Sequence, residues 1–189
     1  MKGAKSIAVC ALMTALVAVA TFVITIPTGA TEGYLNLGDG IVLFCGVAFG
    51  PLFGFLAGGL GSALADLIAG YAHWILPTFL IKGAEGALAA VLFVLFRKSK
   101  MNRFAAAVLA MLPSALWMVI GYFFASWGMK GSAAVAWTGV LGNLIQGGVG
   151  IVVAMAFLAA LSRIKNLTSV IGKNAFFDPP TLSQKDKDE

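Results

Sequence analysis

Long apolar runs, separated by short breaks, constrain this chain more than any other feature. The first run extends from Ile7 to Ile26, and a helix of ~20 residues at ~1.5 Å each crosses the ~30 Å hydrocarbon core of a bilayer. Such a run is too long for the core of a signal peptide. Only 11% of the residues are charged, whereas a soluble domain has roughly a quarter. The chain is therefore predicted to be an all-α integral membrane protein that crosses the cell membrane several times.

Breaks within the apolar sequence divide it into six predicted transmembrane helices. Pro27 ends the first run, and Gly50-Pro51 interrupts a second run that is too long for one upright helix. Proline removes a backbone donor and disfavours helix in the residue before it, so two helices, the first of them short, are expected there. Pro77 is placed to open the fourth helix and Pro113 to kink the fifth. The predicted helices are 7–26, 40–50, 51–69, 77–96, 104–126 and 134–162.

These helices form one predicted substrate-binding domain over 1–163, followed by a cytoplasmic tail over 164–189. The start of the tail alternates apolar and basic residues, so it is expected at the membrane surface, and its polar end is expected to be disordered.

The basic residues predict the orientation of the helices. With six helices and a cytoplasmic N-terminus, every Lys and Arg except Lys82 and Lys130 falls in a cytoplasmic segment. Lys and Arg are enriched in the cytoplasmic loops of membrane proteins, so both termini are predicted to be cytoplasmic. The net charge of +5 follows from this asymmetry and does not indicate a nucleic-acid partner.

In this topology, polar and aromatic side chains gather in the outer half of the membrane. An ionisable group at the centre of a membrane helix costs ~2.5–3.5 kcal/mol on insertion scales, so it marks a function by default. Lys82 and Glu85 are three residues apart and share a helix face, as do Asn143 and Gln146. Together they predict a pocket for a small, planar, hydrogen-bonding ligand that enters from outside. The candidate binding residues are Asn36, Asp39, Tyr71, His73, Trp74, Lys82, Glu85, Tyr122, Trp137, Asn143 and Gln146.

Each of these groups also has a purely structural interpretation. Lys82 and Glu85 could only neutralise each other, because buried ions must be paired. Asn143 and Gln146 could only join helices, and His73 and the tryptophans could be ordinary residues of the membrane interface. The two cysteines lie in apolar runs with no metal-binding spacing, so neither a disulfide nor a metal site is expected.

Five short segments resemble the substrate-binding S components of energy-coupling factor (ECF) vitamin importers. The likeness covers residues 4–163 in length, helix number and topology, and is most specific between 37 and 86. The segments are Leu37-Gly38-Asp39-Gly40, Gly50-Pro51-Leu52-Phe53-Gly54, Ser62-Ala63-Leu64-Ala65-Asp66-Leu67, Pro77-Thr78-Phe79 and Lys82-Gly83-Ala84-Glu85-Gly86.

The resemblance implies a protein that captures a water-soluble vitamin or precursor and associates with a transmembrane coupling subunit and two cytoplasmic ATPases. An Ala-x-x-x-Ala motif on helix 1 contacts the coupling subunit in that family, and Ala11 and Ala15 match it. Glu85, Trp137 and Asn143 occupy places that resemble ligand contacts of thiamine-binding members. The subgroup that looks most similar is the one assigned to hydroxymethylpyrimidine or pyridoxine, with riboflavin or thiamine as the alternative cargo.

The sequence favours a binding and transport subunit over an enzyme. It contains no Gly-x-x-x-x-Gly-Lys-[Ser/Thr] motif, so no cofactor of its own is expected and ATP would be used by partner subunits. An intramembrane enzyme with Glu85 or His73 as general base is the alternative from another class. A third interpretation is a structural membrane protein whose polar groups only hold helices together.

Overall fold

The computed structural model describes residues 3–23, 25–27, 34–99, 101–164 and 176–177, and nearly all of them are helical. One 3₁₀ turn, Ala72–Trp74, precedes α4. The α-helices are α1 Ala4–Val23, α2 Gly38–Phe49, α3 Pro51–Ile68, α4 Ile75–Lys98, α5 Arg103–Lys130, α6 Ala133–Thr138 and α7 Val140–Leu161. The predicted tail falls outside the described residues except for its start and for Phe176 and Phe177.

Five helical segments of the described chain are long and apolar enough to cross a membrane, and a shorter apolar helix accompanies them. This confirms the predicted multi-pass membrane protein, including the division at Gly50-Pro51. The short helix is α2, whose 12 residues rise only about 18 Å. Every residue of α2 except Phe49 is buried, so α2 is an interior helix that is shorter than the five long spans.

A small β-ribbon departs from the all-α prediction. Strands β1, Thr25–Pro27, and β2, Tyr34–Asn36, pair antiparallel between α1 and α2. Helix α1 ends at Val23, earlier than the predicted Ile26. The physical reason is local: Thr25 and Ile26 are β-branched, and the residue before a proline is driven towards extended backbone.

The last apolar run was predicted to form one helix over 134–162, but the structure divides it into two helices. It begins with Ser132, whose hydroxyl accepts a hydrogen bond from the Val135 amide. It is then divided into α6 and α7 at Gly139. Helix α5, by contrast, is a single helical element through Pro113.

Glycines bring the backbones of α2, α3 and α4 into direct contact. A Cβ atom added at Gly46 would lie 2.1 Å from the carbonyl oxygen of Gly86, and one added at Gly54 would lie 2.5 Å from the same oxygen. Small residues allow such close helix approach in membranes, where packing rather than the hydrophobic effect holds helices together. This contact places one face of α4 directly against α2.

Most of the basic residues that the structure describes lie at one end of the bundle, whereas Lys82 is buried within α4 and Lys130 ends α5 at the opposite end. Lys5 lies at the start of α1, Arg97 and Lys98 at the end of α4, and Arg103 at the start of α5. The positive-inside rule assigns this end to the cytoplasm. The opposite end, with the β-ribbon, the 3₁₀ turn and α6, is then the outer end.

Single cysteines at the two ends test this orientation. In a chain whose Cys10 and Cys45 are replaced by alanine, we expect a membrane-impermeant maleimide to label Ala134→Cys, on exposed α6, in intact cells. Ser99→Cys, exposed after α4, should react only after the membrane is permeabilised. Labelling of Ser99→Cys in intact cells would contradict the orientation.

Candidate functional site

Lys82 lies at the centre of a buried charged network that joins α2 and α4. Its ammonium group donates hydrogen bonds to Asp39 Oδ1 and to Glu85 Oε2, the latter at 3.0 Å. All three side chains are almost completely inaccessible to solvent. The Lys82–Glu85 pair follows from their shared helix face, whereas Asp39 reaches Lys82 only because α2 packs against α4.

This network, referred to below as the charged network (Asp39, Lys82 and Glu85), contains two carboxylates and one ammonium group. In fully ionised form it carries one excess negative charge. The second carboxylate oxygen of Glu85, Oε1, is buried and accepts no hydrogen bond within the described part of the chain. Because buried polar atoms are nearly always hydrogen-bonded, Glu85 Oε1 is the position at which the network can accept a further donor.

Gln146 on α7 connects the charged network to the β-ribbon. Its Nε2 donates to Asp39 Oδ2 at 3.1 Å. Its Oε1 accepts from the backbone amide of Asn36 at 3.0 Å and from Asn36 Nδ2 at 3.3 Å. Both polar atoms of the Gln146 amide are thus bonded to protein groups, so this side chain positions Asp39 and Asn36.

Asn36 is also held by the start of α2, because its Oδ1 accepts the Gly38 amide hydrogen at 2.9 Å. One turn beyond Gln146, Gly150 lets α7 approach α2 closely, because a Cβ atom added at Gly150 would lie 2.9 Å from Asp39 Cβ. The packing of α2 against α7 therefore brings Gln146 within hydrogen-bonding distance of Asp39.

Two aromatic side chains, Tyr122 and Trp74, lie beside the charged network. The ring centroid of Tyr122, on α5, lies 5.6 Å from Lys82 Nζ, within the range of a cation–π interaction. The Tyr122 hydroxyl donates to Thr78 Oγ1 at 3.3 Å. The ring of Trp74 lies 5.7 Å from that of Tyr122. Two adjacent aromatic rings beside a charged group suit a planar ligand.

Other predicted site residues lie nearer the outer end of the bundle than the charged network does. The rings of Tyr71 and Trp74 lie 6.4 and 6.1 Å from that of His73, and His73 is exposed. Trp137 packs against Phe123 and is 64% exposed.

Asn143 does not take part in the hydrogen bonds that Gln146 makes. Asn143 is half-buried and makes no side-chain hydrogen bond to a described residue, whereas Gln146 is buried. Thr78 was not among the predicted residues, because a threonine directly after Pro77 has the sequence signature of a helix start. Only the packing of α5 against α4 shows that it bonds Tyr122.

Ala11 and Ala15 lie on a side of α1 that the described part of the chain leaves exposed. Both are exposed, and Leu12 and Val19 on the same helix are exposed as well. This face is apolar, and no described residue packs over it, so lipid or another helix can contact it there.

Two comparisons place this architecture among known proteins. The family model described as "ECF-type riboflavin transporter, S component" matches residues 2–163. A Pyrococcus woesei protein described as "Uncharacterized protein in gap 3'region" is 39% identical over 141 residues, which is 71% of this chain and 91% of that protein. The family match spans the helical bundle that contains the charged network. The chain belongs to the ECF-type riboflavin transporter S component family, which comprises membrane-embedded substrate-binding subunits for vitamin uptake.

Proposed function

We propose that this S component captures a small nitrogen heterocycle, hydroxymethylpyrimidine or pyridoxine, at the charged network. The observation that carries the proposal is Glu85 Oε1, a buried carboxylate oxygen that accepts no hydrogen bond from a described residue. A carboxylate in a dry site binds ring and amino N–H groups strongly, because charge-assisted hydrogen bonds are roughly twice as strong as neutral ones.

The charge of the network supports the same chemical class. Asp39 and Glu85 share one ammonium group, that of Lys82. A protonated pyridine or aminopyrimidine would offset the remaining negative charge and would donate a hydrogen bond to Glu85. Tyr122 and Trp74 supply aromatic faces beside it. Tyr71, His73, Trp137 and Asn143, nearer the outer end, would meet the ligand as it enters.

Transport would require partners. We infer that a transmembrane coupling subunit packs on α1 at Ala11 and Ala15, where two small residues one turn apart permit close helix approach. Two cytoplasmic ATPases would supply the energy, with ATP bound by them and not by this chain. The exposed apolar face of α1 supports this assignment.

Riboflavin is the second candidate, because the matching family model carries the name of that vitamin. Its ring system is larger and neutral, so it would leave the excess charge of the network without an opposite charge. An intramembrane enzyme has less support: Glu85 bonds Lys82, His73 is exposed with its closest ring contacts to Tyr71 and Trp74, and the family is one of transport subunits.

Replacing Glu85 with glutamine tests the proposal directly. We expect hydroxymethylpyrimidine or pyridoxine to quench the tryptophan fluorescence of the purified protein in detergent, chiefly through Trp74. Glu85→Gln should weaken that binding about 10- to 100-fold, because a hydrogen bond to a charged group contributes ~1.5–3 kcal/mol.

The matched control is Glu189→Gln, which makes the same chemical change at the last residue of the chain. Thiamine and riboflavin are titrated against the same proteins in the same way. Saturable quenching by riboflavin alone would replace the proposed cargo with the second candidate. Equal affinity of the wild type and Glu85→Gln for every ligand would exclude Glu85 from the site.

A further inference from the structure

Phe176 is completely buried in the main hydrophobic core, although it lies in the polar C-terminal tail beyond α7. Its neighbour Phe177 packs against the same core and is partly buried. A phenylalanine in a solvated tail would expose its ring to water, so its burial shows that this point of the tail is attached to the bundle.

The ring of Phe176 is held by aromatic and cationic groups from two helices. Its centroid lies 5.7 Å from that of Phe93 on α4, and 5.4 Å from that of Phe104 on α5 at an interplanar angle of 83°. The guanidinium carbon of Arg103 lies 5.3 Å from the Phe176 centroid and 5.1 Å from that of Phe104. Edge-to-face rings and a guanidinium over an aromatic face are both favourable arrangements. Phe93, Phe104 and Arg103 thus form a socket for one aromatic side chain.

The socket lies at the cytoplasmic end of the bundle. It spans the loop that joins α4 to α5, where the side chain of Arg97 donates a hydrogen bond to the carbonyl of Met101. Phe93 belongs to the buried residues of α4, as do Lys82 and Glu85. Phe176 therefore contacts α4, the helix that carries Lys82 and Glu85, about two to three turns farther towards the cytoplasm.

We propose that the Phe176-Phe177 pair is an intramolecular clamp whose anchor, Phe176, joins the inner ends of α4 and α5. The clamp holds the end of α4 that is opposite to the candidate ligand site. It also covers a socket of apolar rings that would otherwise face the cytoplasmic interface. A partner protein that approaches the α4–α5 hairpin from the cytoplasm meets Phe176 bound in this socket.

Limited proteolysis of the full-length protein in detergent tests the clamp. Trypsin can cleave after Lys173, three residues before the anchor. Cleavage of an attached segment follows the population of its detached state. We therefore expect Phe176→Ala to accelerate cleavage at Lys173 about tenfold or more, because a buried ring is lost. Phe177→Ala is the matched control, and its partial burial predicts an acceleration of less than about threefold. Arg103→Gln removes the guanidinium group from the ring face, and its acceleration of cleavage at Lys173 should lie between those of the two phenylalanine variants.

Two internal measurements separate detachment of the tail from general unfolding. Cleavage at Lys185 and Lys187, beyond the anchor, and the midpoint of thermal unfolding are followed in the same samples. If Phe176→Ala does not yield folded protein, Phe176→Leu, which keeps an apolar side chain but loses the ring contacts, replaces it. Equal rates at Lys173 in the wild type and the Phe176 variant would overturn the clamp. Equal acceleration by Phe176→Ala and Phe177→Ala would overturn Phe176 as its anchor.

Discussion

Replacing Lys82 with methionine is expected to destabilise the protein by about 3–5 kcal/mol, because it leaves two buried carboxylates without their shared cation. Asp39 and Glu85 both accept hydrogen bonds from the Lys82 ammonium group, and neither has access to solvent. Unfolding in detergent micelles, followed by circular dichroism, measures the loss. Lys98→Met is the control: it removes the same charge at an exposed position at the end of α4.

A triple variant decides whether the loss comes from uncompensated charge. Asp39→Asn and Glu85→Gln, added to Lys82→Met, remove both carboxylates and leave side chains of similar volume. Because a buried ion pair can be replaced by neutral groups at little cost when both charges are removed, this variant should recover most of the stability. It should nevertheless fail to bind the vitamin. A triple variant that binds ligand as tightly as the wild type would show that the network is structural, which is the alternative left open by the sequence.

The second large effect is expected from Gly86→Val. A Cβ atom at Gly86 would lie 2.5 Å from the carbonyl oxygen of Gly54 and 2.7 Å from its carbonyl carbon. These are backbone atoms of α3 that cannot rotate away, so α3 and α4 must separate. Overpacking of this kind costs about 1–3 kcal/mol or more. Glu85 is adjacent in sequence, so the displacement should also weaken ligand binding.

Gly148→Val is the matched control for this prediction. Gly148 is a helical glycine of α7, and no described residue beyond its own helical turn has an atom within 4 Å of its added Cβ position, so valine there should change stability by less than about 0.5 kcal/mol. The same unfolding assay and ligand titration apply to both variants. If the two variants behaved alike, the close contact between α3 and α4 would not be a determinant of the site.

Part of the site could be predicted because it depends on spacing within one helix. Lys82 and Glu85 form a pair on α4 as their separation of three residues requires. The same rule was insufficient for Asn143 and Gln146, because the hydrogen bonds of each side-chain amide depend on which groups the neighbouring elements place beside it. Only Gln146 bonds to Asp39 and Asn36. Asn36 and Asp39 were predicted as site residues from their position in an outer loop, but their hydrogen-bond partners could not be predicted from the sequence.

The sequence by itself determined the membrane class, the breaks at Pro27 and Gly50-Pro51 and the asymmetry of the basic residues. These properties are local, since apolar length, proline geometry and charge act over one helix or one loop. Only the tertiary structure decided that Lys82 is shared between two carboxylates and that Gln146 bridges to the β-ribbon. These bonds join residues 43, 107 and 110 positions apart. They exist because glycine contacts bring α2, α4 and α7 close enough for short polar side chains to meet.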